Sequence, residues 1–152
     1  MKLQYSHTVG FMSLQGGKGF ANPIDLEFDQ DGIMYVLSRG SCDLEDEGPS
    51  KRVTKCTVDE QYLGQFSRGG TGDGEIMWPS SIAIDQHENV YISDEALHRI
   101  SVFDKSGEFQ FKWGLKGNKN GEFNRPSSIT FDDDSNLLVV DALNNRIQKY
   151  KG

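Results

Sequence analysis

The chain has 152 residues and a formal net charge of −7, with 36% hydrophobic, 26% charged and 11% aromatic residues, 17 glycines and two cysteines. That length and apolar content support a core and exclude disordered, collagen-like and disulfide-dense classes, and the acidic balance argues against a general affinity for nucleic acid or an anionic membrane. The start MKLQYSHTVG lacks the apolar stretch of a secretory signal, and no apolar run approaches the roughly 20 residues of a membrane helix, so the expectation is a cytoplasmic chain with no membrane partner.

Taken in order, the chain opens with LQYSHTVG ahead of a Gly-rich turn. From Phe20-Ala21-Asn22-Pro23 a pattern runs through Leu26, Phe28 and Asp29 to Tyr35 and Val36, is interrupted by the polar stretch SRGSCDLEDEGPSK at 38–51, and resumes at Arg52. The interruption has the composition of a surface loop. Beyond Tyr62, short runs alternate with period 2: Ile82 and Ile84, Val90 and Ile92, Ile100 and Val102, then Phe109, Phe111 and Trp113, each bounded by Asp, Asn, Gly or Ser. That is the periodicity of β-strands. Residues 72–105 return 47 positions later with 11 of 34 identical, which identifies an internal repeat. Pro23 precedes Pro79 by 56 residues and Arg52 precedes Arg99 by 47, so the first copy carries nine extra residues between Val36 and Arg52. No helical crossover pattern intervenes, and four short strands recurring every 40 to 50 residues are the signature of β-propeller blades. The expected fold is therefore all-β.

The pattern G-x-F-x-x-P, then an apolar strand ending in Asp, a second ending in Asp, and Arg-Ile after four residues, resembles the NHL repeat. The resemblance covers nearly the whole chain. It divides it into a fourth strand (d) at 1–10, repeat 1 at about 18–67 with the inserted loop 38–51, repeat 2 at about 68–113, and repeat 3 at about 114–152. Repeat 1 departs from the pattern, with Ser38 where Asp94 and Asp141 stand and Lys55-Cys56 in place of Val102-Phe103. Tyr5 aligns with Tyr62 and Phe109, so twelve strands are expected in the order d, abcd, abcd, abc. An isolated d strand and an abc blade are complementary, and exposed sheet edges are templates for pairing. Two expectations follow: a homodimer whose chains exchange d strands to close a six-bladed ring, or a piece of a longer propeller.

Because Asp94/Arg99 and Asp141/Arg146 recur once per repeat, they read as structural staples and not as catalytic pairs. His7, His87 and His98 fall on different turns and strands and do not form the three-ligand set of a catalytic zinc site. Asp132-Asp133-Asp134 lacks calcium-loop spacing. No catalytic residue, metal or cofactor is expected. Cys56 takes the place of Phe103 and is read as a buried free thiol; Cys42 lies in the inserted loop. The a–b and c–d turns carry eleven acids against one base, Lys105, whereas the d–a connections carry a basic set, Arg68, Lys112, Lys116, Lys119 and Arg125. Asn22, Trp78 and Arg125 precede the repeat prolines at equivalent points, and with Arg39, Glu95, His98 and Asn144 of the b–c loops they form a candidate ligand face. The resemblance implies a non-enzymatic scaffold for a protein or peptide. A single-stranded RNA reader using the basic d–a loops is the second reading, and a metal-dependent lyase or hydrolase the third.

Overall fold

Short period-2 runs punctuated by turn residues fold into eleven antiparallel strands in a computed structural model that describes residues 2–41 and 47–151. Blade 1 comprises β1 (Pro23–Phe28), β2 (Met34–Ser38), β3 (Arg52–Cys56) and β4 (Tyr62–Phe66). Blade 2 comprises β5 (Pro79–Ile84), β6 (Val90–Asp94), β7 (Arg99–Phe103) and β8 (Phe109–Trp113). Blade 3 has three strands, β9 (Pro126–Phe131), β10 (Leu137–Asp141) and β11 (Arg146–Tyr150). Every sheet is a meander, and β5 packs against both β1 and β9, so the first strands line up side by side while the fourth strands lie outermost. This is the stacking of propeller blades.

The core consists of two layers between blades. Tyr35, Leu37 and Val53 of blade 1, with Phe66, bury against Ile76, Ile82, Val90, Ile92 and Phe103 of blade 2. Ala83 and Ile100 on the other face of blade 2 meet Phe123, Ile129, Leu137 and Val139 of blade 3. With neighbours on both sides, all five residues of β7 are buried, whereas β11 alternates between half-buried and exposed. The tight c–d turn of blade 2 needs Gly107: its φ is +96°, and a Cβ there would lie 2.6 Å from the Cβ of Phe66.

Two expectations meet differences. Among the described residues eleven strands form where twelve are expected, because residues 2–10 pair with no strand of this chain. The inserted loop runs from the end of β2 at Ser38 to the start of β3 at Arg52, but its last residues are not on the surface: Ser50 and Lys51 are buried, and the Lys51 ammonium donates to Met77 Sδ at 3.7 Å. Cys42 lies outside the described residues; Cys56 is buried and free, and burial pushes its thiol pKa up. No helix among the described residues is long and apolar enough to cross a membrane.

Candidate recognition surface

The acid-rich turns are largely occupied by their own backbone. Asp29 Oδ1 accepts from the amides of Asp31 and Ile33, Asp85 Oδ1 from His87 and Asn89, Asp104 Oδ1 from Ser106 and Glu108, and Asp132 Oδ1 from Asp134 and Asn136. Each is an aspartate closing a turn. The hydrogen bond from Lys149, together with those from Asn136, holds the Asp132 carboxyl well below the usual carboxylate range. Among the described residues, the single group of three metal-ligating side chains is Asp29, Asp31 and Glu88. It already encloses a cation: Lys105 Nζ lies 2.7 Å from Asp31 and 2.8 Å from Glu88, with Asp29 at 3.9 Å. Lys105 thus joins a c–d turn of blade 2 to the a–b turns of blades 1 and 2.

The paired acid and base of each repeat act on the loop that leads into the blade. Asp94 accepts from the amides of Met77 at 2.6 Å and Trp78 at 3.1 Å, and from Ala96 and Leu97 in its own turn. Arg99 donates to the carbonyls of Thr71, Gly72 and Glu75 at 2.8–2.9 Å. In blade 3, Asp141 accepts from the Asn124 amide and Arg146 donates to the carbonyls of Asn118, Lys119 and Glu122; there the two also pair directly at 2.7 Å. These groups organise backbone.

On the candidate ligand face, Arg39, Trp78, Glu95, His98 and Arg125 come together across all three blades. The Arg39 guanidinium stacks 4.9 Å from the centre of the Trp78 ring and donates from Nε to the Pro79 carbonyl. Glu95 stands between two guanidiniums, 2.7 Å from Arg125 and 3.8 Å from Arg39. The Arg125 amide donates to His98 Nδ1 at 3.1 Å, which leaves the ring proton on Nε2 when the imidazole is neutral. Burial, then Lys116 and Arg125, push the His98 pKa below its ordinary value against the opposing pull of Asp94 and Asp141. Trp78, Glu95, His98 and Arg125 line an open cavity of about 400 Å³, completed by Lys116, Ala96, Asn124 and Leu143.

Asn22 and Asn144 do not join this group. Asn22 is exposed beside Pro23 at the rim of blade 1, its carbonyl accepting from the Arg39 amide, and the Asn144 amide is spent on Gly117 O and Asp141. The basic d–a loops are partly neutralised where they stand. Arg68 lies 3.6 Å from Glu75 and Lys112 2.7 Å from Asp73, and Arg125 is the third, through Glu95. Residue-by-residue reading missed Ala96 and Leu143, the apolar residues that line the cavity beside Trp78. It also missed a second cavity of about 270 Å³ lined by Tyr91, Phe111, Trp113, Phe131, Leu137, Tyr150 and Lys151. Aligning Tyr150 with Phe103 and asking which ring packs on it would have found that cavity.

A family model described as a six-bladed β-propeller matches residues 71–151. Human NHL repeat-containing protein 3 is 31% identical over 113 residues, 72% of this chain and 32% of that protein. The chain thus spans about a third of the length of that relative. Among solved structures, virginiamycin B lyase from Staphylococcus aureus superposes on 86% of this chain and 41% of its own, with a TM-score of 0.58 at 15% identity. A protein of unknown function from Bacteroides thetaiotaomicron covers 80% of this chain and 32% of its own, with a TM-score of 0.59 at 17% identity. At those identities the two structures speak for the fold alone.

Proposed function

Because the chain belongs to the NHL-repeat family of six-bladed β-propellers, we propose that it acts as a non-catalytic interaction scaffold that takes a protein or peptide segment in the cavity around Trp78. The observation that carries this reading is the Arg39–Trp78–Glu95–Arg125 row. It places a half-buried indole, stacked by a guanidinium, at an open cavity, and Trp and Arg are the side chains that dominate binding energy at protein interfaces. Arg39, Arg125 and Lys116 outnumber Glu95 around a cavity whose lining includes the apolar Ala96 and Leu143. The favoured ligand is therefore a segment presenting a carboxylate beside an apolar side chain.

Selection from a displayed peptide library tests this. The expected result is a set of peptides sharing an acidic residue next to an apolar one, which lose binding to Trp78→Ala. Peptides held equally by Trp78→Ala would overturn the site. Tight binding of single-stranded RNA that disappears on changing Lys116 and Lys119 to Ala would move the function to the basic loops.

A further inference from the structure

Blade 1 departs from the repeat at several positions, and four of the departures converge on one cavity. In blade 2 the third strand ends on Phe103, a buried ring 5.1 Å from that of Phe66 and 6.0 Å from that of Phe109. Blade 3 repeats the contact: Tyr150, which ends β11, lies 5.4 Å from Trp113. Glycines make room for these rings. A Cβ at Gly74 in the lead-in loop would stand 3.7 Å from the Phe103 ring, and one at Gly107 in the c–d turn would meet Phe66 at 2.6 Å.

Blade 1 changes all four positions. Cys56 pairs with Tyr62 as Phe103 pairs with Phe109, so the thiol takes the place of the buried ring. The Phe20 amide donates to Phe11 O as Ile76 does to Arg68 O and Phe123 to Leu115 O. That equivalence puts Val9 in the place of Phe66 and Trp113, and Lys18 in that of Gly74 and Gly121. The Glu60 amide donates to Thr57 O as Gly107 does to Asp104 O, so Glu60, at φ +66°, holds the place of Gly107. Two rings are exchanged for small side chains and two glycines for charged ones. Val9 and Phe20 still pack on Cys56, but the exchange leaves a cavity of about 180 Å³ walled by Val9, Phe11, Phe20, Cys56 and Tyr62. Lys18 and Glu60, both exposed, belong to its lining.

We propose that this cavity binds a small aromatic carboxylic acid, its ring standing in for the side chain that Cys56 lacks and its carboxylate meeting Lys18. The size agrees, since a cavity of roughly 150 Å³ holds a benzene ring. The walls agree as well: Phe11, Phe20 and Tyr62 offer a ligand the aromatic contacts that Phe66 and Phe109 offer Phe103. The acid follows from the charges. The Lys18 ammonium makes no ion pair among the described residues, whereas Glu60 already accepts from the Gly10 amide at 3.0 Å. Burial keeps the Cys56 thiol protonated, so the ligand is held without a covalent bond. The site shares no residue with the Trp78 cavity, and the inference does not depend on the peptide reading.

Titration with benzoate, benzyl alcohol and benzylamine, followed in amide NMR spectra, tests it. The expected result is saturable shifts of the Phe20, Cys56 and Tyr62 amides, with benzoate bound roughly tenfold more tightly than benzyl alcohol. Lys18→Met is expected to erase that preference. Cys56→Phe gives blade 1 the ring of blade 2, and Val9→Phe fills the same space from the opposite wall. Each is expected to abolish binding of all three probes while circular dichroism shows the β signal retained. No saturable shift with any probe, or benzoate binding undiminished in a folded filled variant, would overturn the proposal. So would a preference for benzoate that survives Lys18→Met, or benzylamine bound more tightly than benzoate, which would pass recognition to Glu60.

Discussion

Asp94 and Arg99 face each other across one turn yet serve opposite polarities of the same loop: the carboxylate gathers the amides of Met77 and Trp78, and the guanidinium gathers the carbonyls of Thr71, Gly72 and Glu75. Asp94→Ala removes the acceptor for four backbone amides, two of them in the entry to β5. A loss of about 2–4 kcal/mol in urea unfolding is expected, since buried donors left without partners pay their desolvation cost.

Glu95→Gln separates stability from recognition. Arg125 is half exposed, so its ion pair with Glu95 contributes little to folding, and the stability change is expected to stay within about 1 kcal/mol. Removing the carboxylate leaves Arg39 and Arg125 unneutralised beside Trp78. Acidic peptides selected on the wild type are expected to bind the variant more tightly and with a steeper dependence on salt, as read by titration calorimetry.

His98 makes the same surface responsive to acid. Its folded pKa lies below the ordinary value because burial, Lys116 and Arg125 disfavour the imidazolium. For a base held down in this way, the contribution to stability is present above the unfolded pKa of about 6.5 and is lost as pH falls through the folded value. Protonation also removes the acceptor of the Arg125 amide. His98→Gln is expected to flatten the acid limb of the pH–stability profile, and NMR titration of the ring would give the midpoint.

Tyr35 and Tyr91 predict the alkaline limit. Burial first, then Asp29 in one case and Asp85 in the other, push both phenols up to about 12. A raised acid pKa gives stability that is complete below the unfolded value of about 10 and disappears as pH rises through the folded one. Ultraviolet phenolate titration should show these two groups, and Tyr150, whose phenol burial also raises, ionising late and coupled to unfolding, and Tyr91→Phe should remove one of them.

The repeat made most of the fold legible. Identical residues 47 apart place β5 on β9 and β7 on β11, and position-equivalence alone identified Trp78 and Arg125 as neighbours on one rim. What stayed hidden depends on how adjacent blades are rotated. Glu95 reaches Arg39 and Arg125 from a different blade in each case, a contact that no spacing within a repeat encodes. Asn144 looked like a rim residue because its role in holding Gly117 O appears only when the lead-in loop folds back. Lys51 looked solvated because Lys and its neighbours are polar, yet tertiary packing encloses it.

Where blades 2 and 3 anchor their lead-in loops on a carboxylate, at 2.6 Å to Met77 N and 2.7 Å to Asn124 N, blade 1 has Ser38, whose hydroxyl meets Ala21 N at 3.3 Å. A neutral hydroxyl holds an amide less firmly than an ionised acid does. The segment leading into β1 is thus tied to its blade by the weakest of the three amide anchors. Amide exchange is expected to run faster there than in the lead-ins of blades 2 and 3, which stay fastened by an ionised acid.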